Sequence, residues 1–213
     1  MTPQFSRAVD PIFLYVLNLL DRISKEEQLN VQEERLKIRS RLEEAVAIVG
    51  QGPEWDLAKY GLVSWIDEVL LEAPWDGRDW WNNNVLEVEL FNTRLCNEQF
   101  YVKSKEASLL PKRDALEIYY VCVVLGFRGF YRDPALAAIV AQSHGFPPDL
   151  EQWAKQTSLA IQLGKGRPPI TQSGAGGTGA PPLGGQALLV WSSLVGVVLA
   201  AFTVMYAVLN WGK

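Results

Sequence analysis

Apolar residues recur at helical spacing through most of this chain, and no alternating apolar–polar run with hairpin turn signals interrupts them. Ile12, Val16, Leu19 and Ile23 step by four, three and four, the stripe that a packed helix turns toward a core. Ile38, Leu42, Ala45 and Val49 predict a second helix, with Glu33 and Lys37 as an i,i+4 pair on its wetter face. Gly50 and Gly52-Pro53 stop that helix, and Pro53 suits the first turn of the next. Its stripe is Ala58, Leu62, Trp65 and Val69, ending near Ala73-Pro74. A loop with Gly77 leads past Trp80 and Trp81 to a helix over 85–92, and another spans 95–107 before Pro111. Positions 115–125 are apolar nearly all round, which describes a helix enclosed by others and too short to cross a bilayer. Asp133-Pro134 caps and opens a further helix, and Pro147-Pro148 introduces a last one through Leu163. The expected domain, 1–163, is all-α.

The pattern then changes twice. Segment 164–184 holds seven Gly and four Pro with few large apolar groups, the composition of a flexible linker with a reach on the order of 25 Å. Segment 187–209 carries no charge, and 23 residues of helix rise roughly 35 Å, enough to cross a bilayer core of about 30 Å. Trp191 sits near one end, with Tyr206 and Trp211 near the other, where amphipathic rings favour the headgroup region. A transmembrane helix is therefore expected there, with 210–213 as a short tail beyond it. Ser192, Gly196 and Ala200 recur every four residues, a small-residue stripe that lets helices in lipid approach closely. Self-association along it and chance spacing are both open readings.

Charge orients the chain. Lys155, Lys165 and Arg167 precede the span and only Lys213 follows it, so the positive-inside rule places the large domain in the cytoplasm. The apolar run at 12–20 superficially resembles a signal peptide. Asp10 before it, Asp21-Arg22 after it and the lack of a small-residue cleavage site argue for a packed helix and against export.

Composition narrows the chemistry. The 24 acidic against 20 basic side chains argue against nucleic acid, whose phosphates demand clustered Lys and Arg. Cys96 and Cys122 lack the paired spacing of a metal or redox site, so free thiols are expected. The sole histidine, His144, lies in a turn sequence without evident catalytic partners, and 164–169 lacks the spacing of a phosphate loop. No catalytic, cofactor or metal site is expected, and the reading is non-enzymatic.

One charged stretch stands out. Asp67, Glu68, Glu72, Asp76, Asp79, Glu87 and Glu89 face only Arg78, with Trp75, Trp80 and Trp81 interleaved. Two readings remain. It is an ordinary solvated face with its tryptophans in the core, or an acidic surface that steers a basic partner, with Trp75 as an anchor.

The pieces LYVLNLLDRI near the start, WIDEVLLEAPW at 65–75, LEVELFNTR ending at 94 and ALEIYYVCVVLGFRGFYRD at 115–133 resemble the DotU/TssL family, also called IcmH-like. That family serves type VI and type IVb secretion systems. RLCNEQF at 94–100 departs from it, where many relatives carry a Gly-Gly-Glu turn. The resemblance implies a cytoplasmic hook of two packed helical bundles, one C-terminal span in the bacterial inner membrane, and a homodimer. It implies an IcmF/TssM-like membrane partner and a TssK-like baseplate partner, with docking through an acidic cleft of Asp67, Glu68, Glu72, Trp75 and Asp76. Gly126, Arg128, Gly129, Tyr131 and Arg132 of the signature are expected to hold the fold together, the glycines where a helix ends. A type VI component is the leading expectation; a type IVb component or a stand-alone tail-anchored adaptor is the alternative.

Overall fold

The computed structural model describes residues 1–164 together with Val204, Met205 and Trp211. The linker over 165–184, the span over 187–209 apart from Val204 and Met205, with its stripe Ser192, Gly196 and Ala200, and 210–213 apart from Trp211 lie outside the described residues. Among the described residues, no helix is long and apolar enough to cross a membrane.

The described domain is all-helical. Helix α1 (Pro3–Ser24) opens at Thr2, whose hydroxyl accepts from the Phe5 N–H at 3.4 Å, with Pro3 in the first turn. Helix α2 (Val31–Val49) opens at Asn30, whose side chain accepts from the N–H groups of Gln32 and Glu33 at 3.0 and 3.3 Å. After α3 (Pro53–Glu72), the stretch with Trp80 and Trp81 forms its own short helix α4 (Arg78–Asn83), followed by α5 (Leu86–Phe91). Then come α6 (Cys96–Leu109), α7 (Asp114–Val124), a 3-10 turn (Gly129–Arg132), α8 (Pro134–His144) and α9 (Leu150–Gly164). Asp133 caps α8, its carboxylate accepting from the Ala135 N–H at 2.9 Å.

Helix α3 is the axis. From Tyr60 to Leu70 every residue is buried, so this helix has no wet face along its second half. Helices α6 and α7 pack along it, α4 and α5 fold back onto it, and α1 reaches it through paired rings. Phe13 meets Trp65 at 5.1 Å and Phe5 meets Trp55 at 6.4 Å. The α1 stripe of Ile12, Val16, Leu19 and Ile23 is entirely buried.

A second concentration of rings joins α6, α7 and the 3-10 turn. Phe100 stacks on Phe127 at 3.8 Å and meets Tyr119 edge-on at 4.7 Å. Tyr101 stands edge-on to Phe130, Tyr131 and Trp153 at 4.8, 4.9 and 5.2 Å. Each such pair adds about 0.5–1.5 kcal/mol beyond area burial, so this cluster fixes α9 and the 3-10 turn against α6.

Candidate functional site

A buried helix rich in acids poses a problem, because an ionised carboxylate taken from water must find donors. The helices around α3 supply them. Helices α5, α6 and α7 and the 3-10 turn all begin without a side-chain cap of their own, leaving N–H groups unpartnered by their immediate neighbours. Carboxylates from elsewhere in the chain complete each one.

Asp67 on α3 accepts from the N–H groups of Leu86 and Glu87 at 2.9 and 2.8 Å, capping α5, and from the Trp81 indole at 2.9 Å. It is 2% exposed. Burial pushes its carboxyl up to about 6, against the downward pull of those three N–H donors. Glu87 on α5 in turn caps α6, accepting from the N–H groups of Leu95 and Cys96 at 3.0 and 3.1 Å. The hydroxyls of Tyr60 and Thr93 donate to it at 2.7 and 2.8 Å. Glu54 at the start of α3 accepts from the N–H groups of Asp114 and Ala115 at 3.1 and 3.4 Å, capping α7.

Glu68 caps the 3-10 turn. Its oxygens accept from the Arg128 N–H at 2.6 Å, from the Gly129 N–H at 3.1 Å and from the Arg132 guanidinium at 2.9 Å. That guanidinium also pairs with Glu72, one turn further along α3. Here the internal network reaches the surface. Glu68 is buried, whereas the side chains of Glu72 and Arg132 are 41% and 51% exposed. They stand at a cleft of about 350 Å³ whose lining includes Leu71, Arg78, Asn97, Phe130 and Leu136.

The five acidic-cleft candidates therefore separate. Asp67 lines no cleft, because its carboxylate is closed in by the donors that start α5. Glu68 and Glu72 share the cleft with Arg132. Trp75 and Asp76 line a different depression, with Ile23, Glu26, Glu27 and Leu29 from the α1–α2 junction. Trp75 is half-buried there: its indole donates to the Leu70 carbonyl at 2.9 Å and its ring lies 6.4 Å from that of Trp81. The acidic excess is also smaller outside than on paper. Asp67, Glu68 and Glu87 are buried, and Glu89 pairs with Arg35 and Arg39 of α2.

The signature residues converge on the far wall. Arg128 donates to the Val123 and Phe127 carbonyls at 3.0 and 3.2 Å, closing the end of α7. The Tyr131 hydroxyl donates to the Pro147 carbonyl at 2.7 Å and holds the α8–α9 loop. Gly126 and Gly129 take φ of 115° and 53°, conformations that glycine adopts without a side-chain clash. A Cβ on Gly129 would stand 2.6 Å from the Asn97 carbonyl oxygen. Sequence reasoning missed Leu71, Asn97, Phe130 and Leu136 as cleft residues, since they come from four elements and share no local pattern.

Both cysteines are free thiols, Cys122 buried and Cys96 half-buried. Among the described residues, no group of three His, Cys, Asp or Glu side chains is placed to hold a metal ion. His144 ends α8, its Nε2 2.7 Å from Glu98.

Fold and cleft define an all-helical protein built on one buried acidic helix, whose carboxylates serve helix junctions on one side and a surface cleft on the other. The chain belongs to the DotU family: the model described as type VI secretion system protein DotU matches residues 4–212. A solved structure, the cytoplasmic domain of TssL from Acinetobacter baumannii, aligns with a TM-score of 0.59 at 20% identity, over 75% of this chain and 98% of that one. At that identity the likeness speaks for the fold. No curated protein matches the sequence.

Proposed function

We propose that this chain is a structural inner-membrane component of a type VI secretion system. The 187–209 span holds it as a single-pass protein with its C-terminus in the periplasm, and its helical domain docks other subunits in the cytoplasm. Family membership supports the system; the arrangement of Glu72 and Arg132 supports the docking role. These two half-exposed, opposite charges flank a cleft floored by Leu71, Phe130 and Leu136, an apolar floor with a polar rim of the kind that protein interfaces use. A partner carrying a basic side chain competes with Arg132 for Glu72 while its apolar residues cover the floor.

In this reading Trp75 and Asp76 form a second contact beside the α1–α2 junction, and Asp67 acts only by keeping α5 in place. The TssK-like baseplate protein is the partner assigned to the cleft, and the IcmF/TssM-like protein the neighbour in the membrane. The α1–α2 hairpin and the α6–α9 group are the two arms of the hook. Ser192, Gly196 and Ala200 bring two copies together in lipid.

The test is affinity purification of the full chain from membranes, comparing wild type with Glu72→Arg. Glu72 caps no helix, so the variant keeps its helical content, and recovery of the baseplate protein should fall. Undiminished recovery with a folded, membrane-inserted variant rejects the cleft. For the span, Gly196→Leu should reduce self-association; an unchanged dimer signal rejects that face.

A further inference from the structure

Of the large apolar side chains exposed on the helical domain, the two most exposed are Leu163 at 81% and Leu109 at 80%. They lie far apart in sequence, and one side chain joins their surroundings. Arg113 donates through Nη1 to the Ser108 and Leu110 carbonyls, on either side of Leu109, the latter at 2.6 Å. The same side chain lies against Gly164, where a Cβ would meet its Cγ. The chain on both sides of Leu109 and the residue after Leu163 therefore meet on one arginine side chain, at one corner of the domain. Leu159, one turn back on α9, adds a third exposed leucine at 58%.

Lys112 is exposed beside Pro111. Of the nearby acids, Asp114 is taken up by the Thr2 N–H and hydroxyl at 2.5 and 2.7 Å and Glu117 by the Met1 ammonium, while Glu106, one turn before Leu109 on α6, is exposed beside Lys105. Lys155 is balanced by Glu151 at 2.7 Å. The corner thus presents leucines with the exposed Lys112 at their edge, in a protein of net charge −4. It is also where the described domain hands over to the sequence that leads to the uncharged run at 187–209.

We propose that this corner, with Leu109, Lys112, Leu159 and Leu163, is a lipid-contacting edge that rests on an anionic bilayer surface. The inference rests on the membrane-anchor reading above. An anchored chain holds the corner near the bilayer at an effective concentration on the order of millimolar, so weak intrinsic affinity suffices. Exposed leucines enter the headgroup–acyl boundary, and lysine at its edge meets anionic headgroups. The contact orients the domain relative to the membrane.

The test uses the full chain in vesicles of phosphatidylcholine with and without phosphatidylglycerol, in a Cys96→Ser, Cys122→Ala background. Single fluorescent labels are placed through Leu109→Cys, Leu163→Cys, Leu14→Cys on α1 and Val197→Cys within the expected span. Labels at 109 and 163 should lose access to a water-soluble quencher and gain quenching by brominated lipid, more in anionic vesicles and less with Lys112→Glu. The label at 14 should stay wet. Labels at 109 and 163 that stay wet while the label at 197 is quenched by lipid overturn this inference and leave the anchor standing. A wet label at 197 overturns the anchor itself and the edge with it. Protection that grows with the protein-to-lipid ratio assigns the corner to a second copy and overturns the lipid assignment.

Discussion

The indole N–H of Trp81 donates to the carboxylate of Asp67 at 2.9 Å, with both side chains closed off from water. Two backbone N–H groups, those of Leu86 and Glu87, share the same carboxylate. One acid thereby fixes α4 and α5 against α3. Removing it strands buried donors, which cost about 1–3 kcal/mol each when unpaired. Asp67→Ala should lower the unfolding free energy by about 3 kcal/mol or more, and Asp67→Asn by less, since one acceptor oxygen remains. Glu72→Ala, at an exposed pair, should stay within about 0.5 kcal/mol of wild type. Urea titration of the detergent-solubilised full chain by circular dichroism distinguishes these outcomes; equal effects at the two positions reject the assignment.

The pH dependence of Asp67 runs against the usual direction for an acid. Its carboxyl in the folded protein sits at about 6, above the ordinary 3.8, because burial outweighs the donors. The folded state therefore binds this proton more tightly than the unfolded state does. The contribution to stability is fully present below the unfolded value and is lost as pH rises through about 6. Across that window the loss amounts to up to about 3 kcal/mol. Subtracting the stability profile of Asp67→Asn from that of wild type isolates the effect, and a flat difference between pH 4 and pH 6 would contradict it.

These carboxylates also mark the limit of what the sequence discloses. Ile12, Val16, Leu19 and Ile23 are legible because one face of an amphipathic helix leaves a period of 3.6 in the chain. The same reading of α3 finds Ala58, Leu62, Trp65 and Val69, yet Tyr60, Val63, Ile66 and Leu70 are buried too. A helix wrapped on all sides has no polar face to set the phase. Asp67 and Glu68 look solvated in sequence because their partners lie up to about sixty positions away and are mostly backbone N–H groups, which carry no residue signature. Of the cleft, Glu68 and Glu72 are within reach through composition and resemblance, whereas Arg132 is expected from the signature only to hold the fold together. The apolar floor was not, because only the packing of the 3-10 turn and α8 against α3 brings Phe130 and Leu136 to Leu71.

Gly129 and Gly126 should respond to alanine in a fixed order. Both carry positive φ, so both variants bear backbone strain of about 1–3 kcal/mol. At Gly126 a Cβ would meet nothing within 4 Å, so strain is the whole cost. At Gly129 the new methyl would also stand 2.6 Å from the Asn97 carbonyl oxygen and 3.0 Å from the Phe127 ring, both packed in place. Gly129→Ala is therefore expected to be the more destabilising, with the loosening felt at Glu68, which holds the Gly129 N–H. Midpoints in the reverse order would show that the close approach to Asn97 relaxes freely.

Asp67 and Glu87 act in series: the Glu87 N–H donates to Asp67 at 2.8 Å, while the Glu87 carboxylate accepts from Leu95 and Cys96 at the start of α6. A shift of α5 away from Asp67 moves the group that caps α6, so the two acids share one displacement. Glu54 caps α7 at the opposite end of α3, about three and a half turns from Asp67, and shares no partner with either acid. A double-mutant cycle of Asp67→Asn with Glu87→Gln should therefore show coupling of about 0.5–3 kcal/mol, the double variant losing less than the sum of the single losses. Pairing Glu54→Gln with either should give additivity within about 0.5 kcal/mol. Urea midpoints of the four-variant sets settle the point. Additivity between Asp67 and Glu87 would mean that α5 holds its place without Asp67, and that the relay from α3 through α5 to α6 carries no energy.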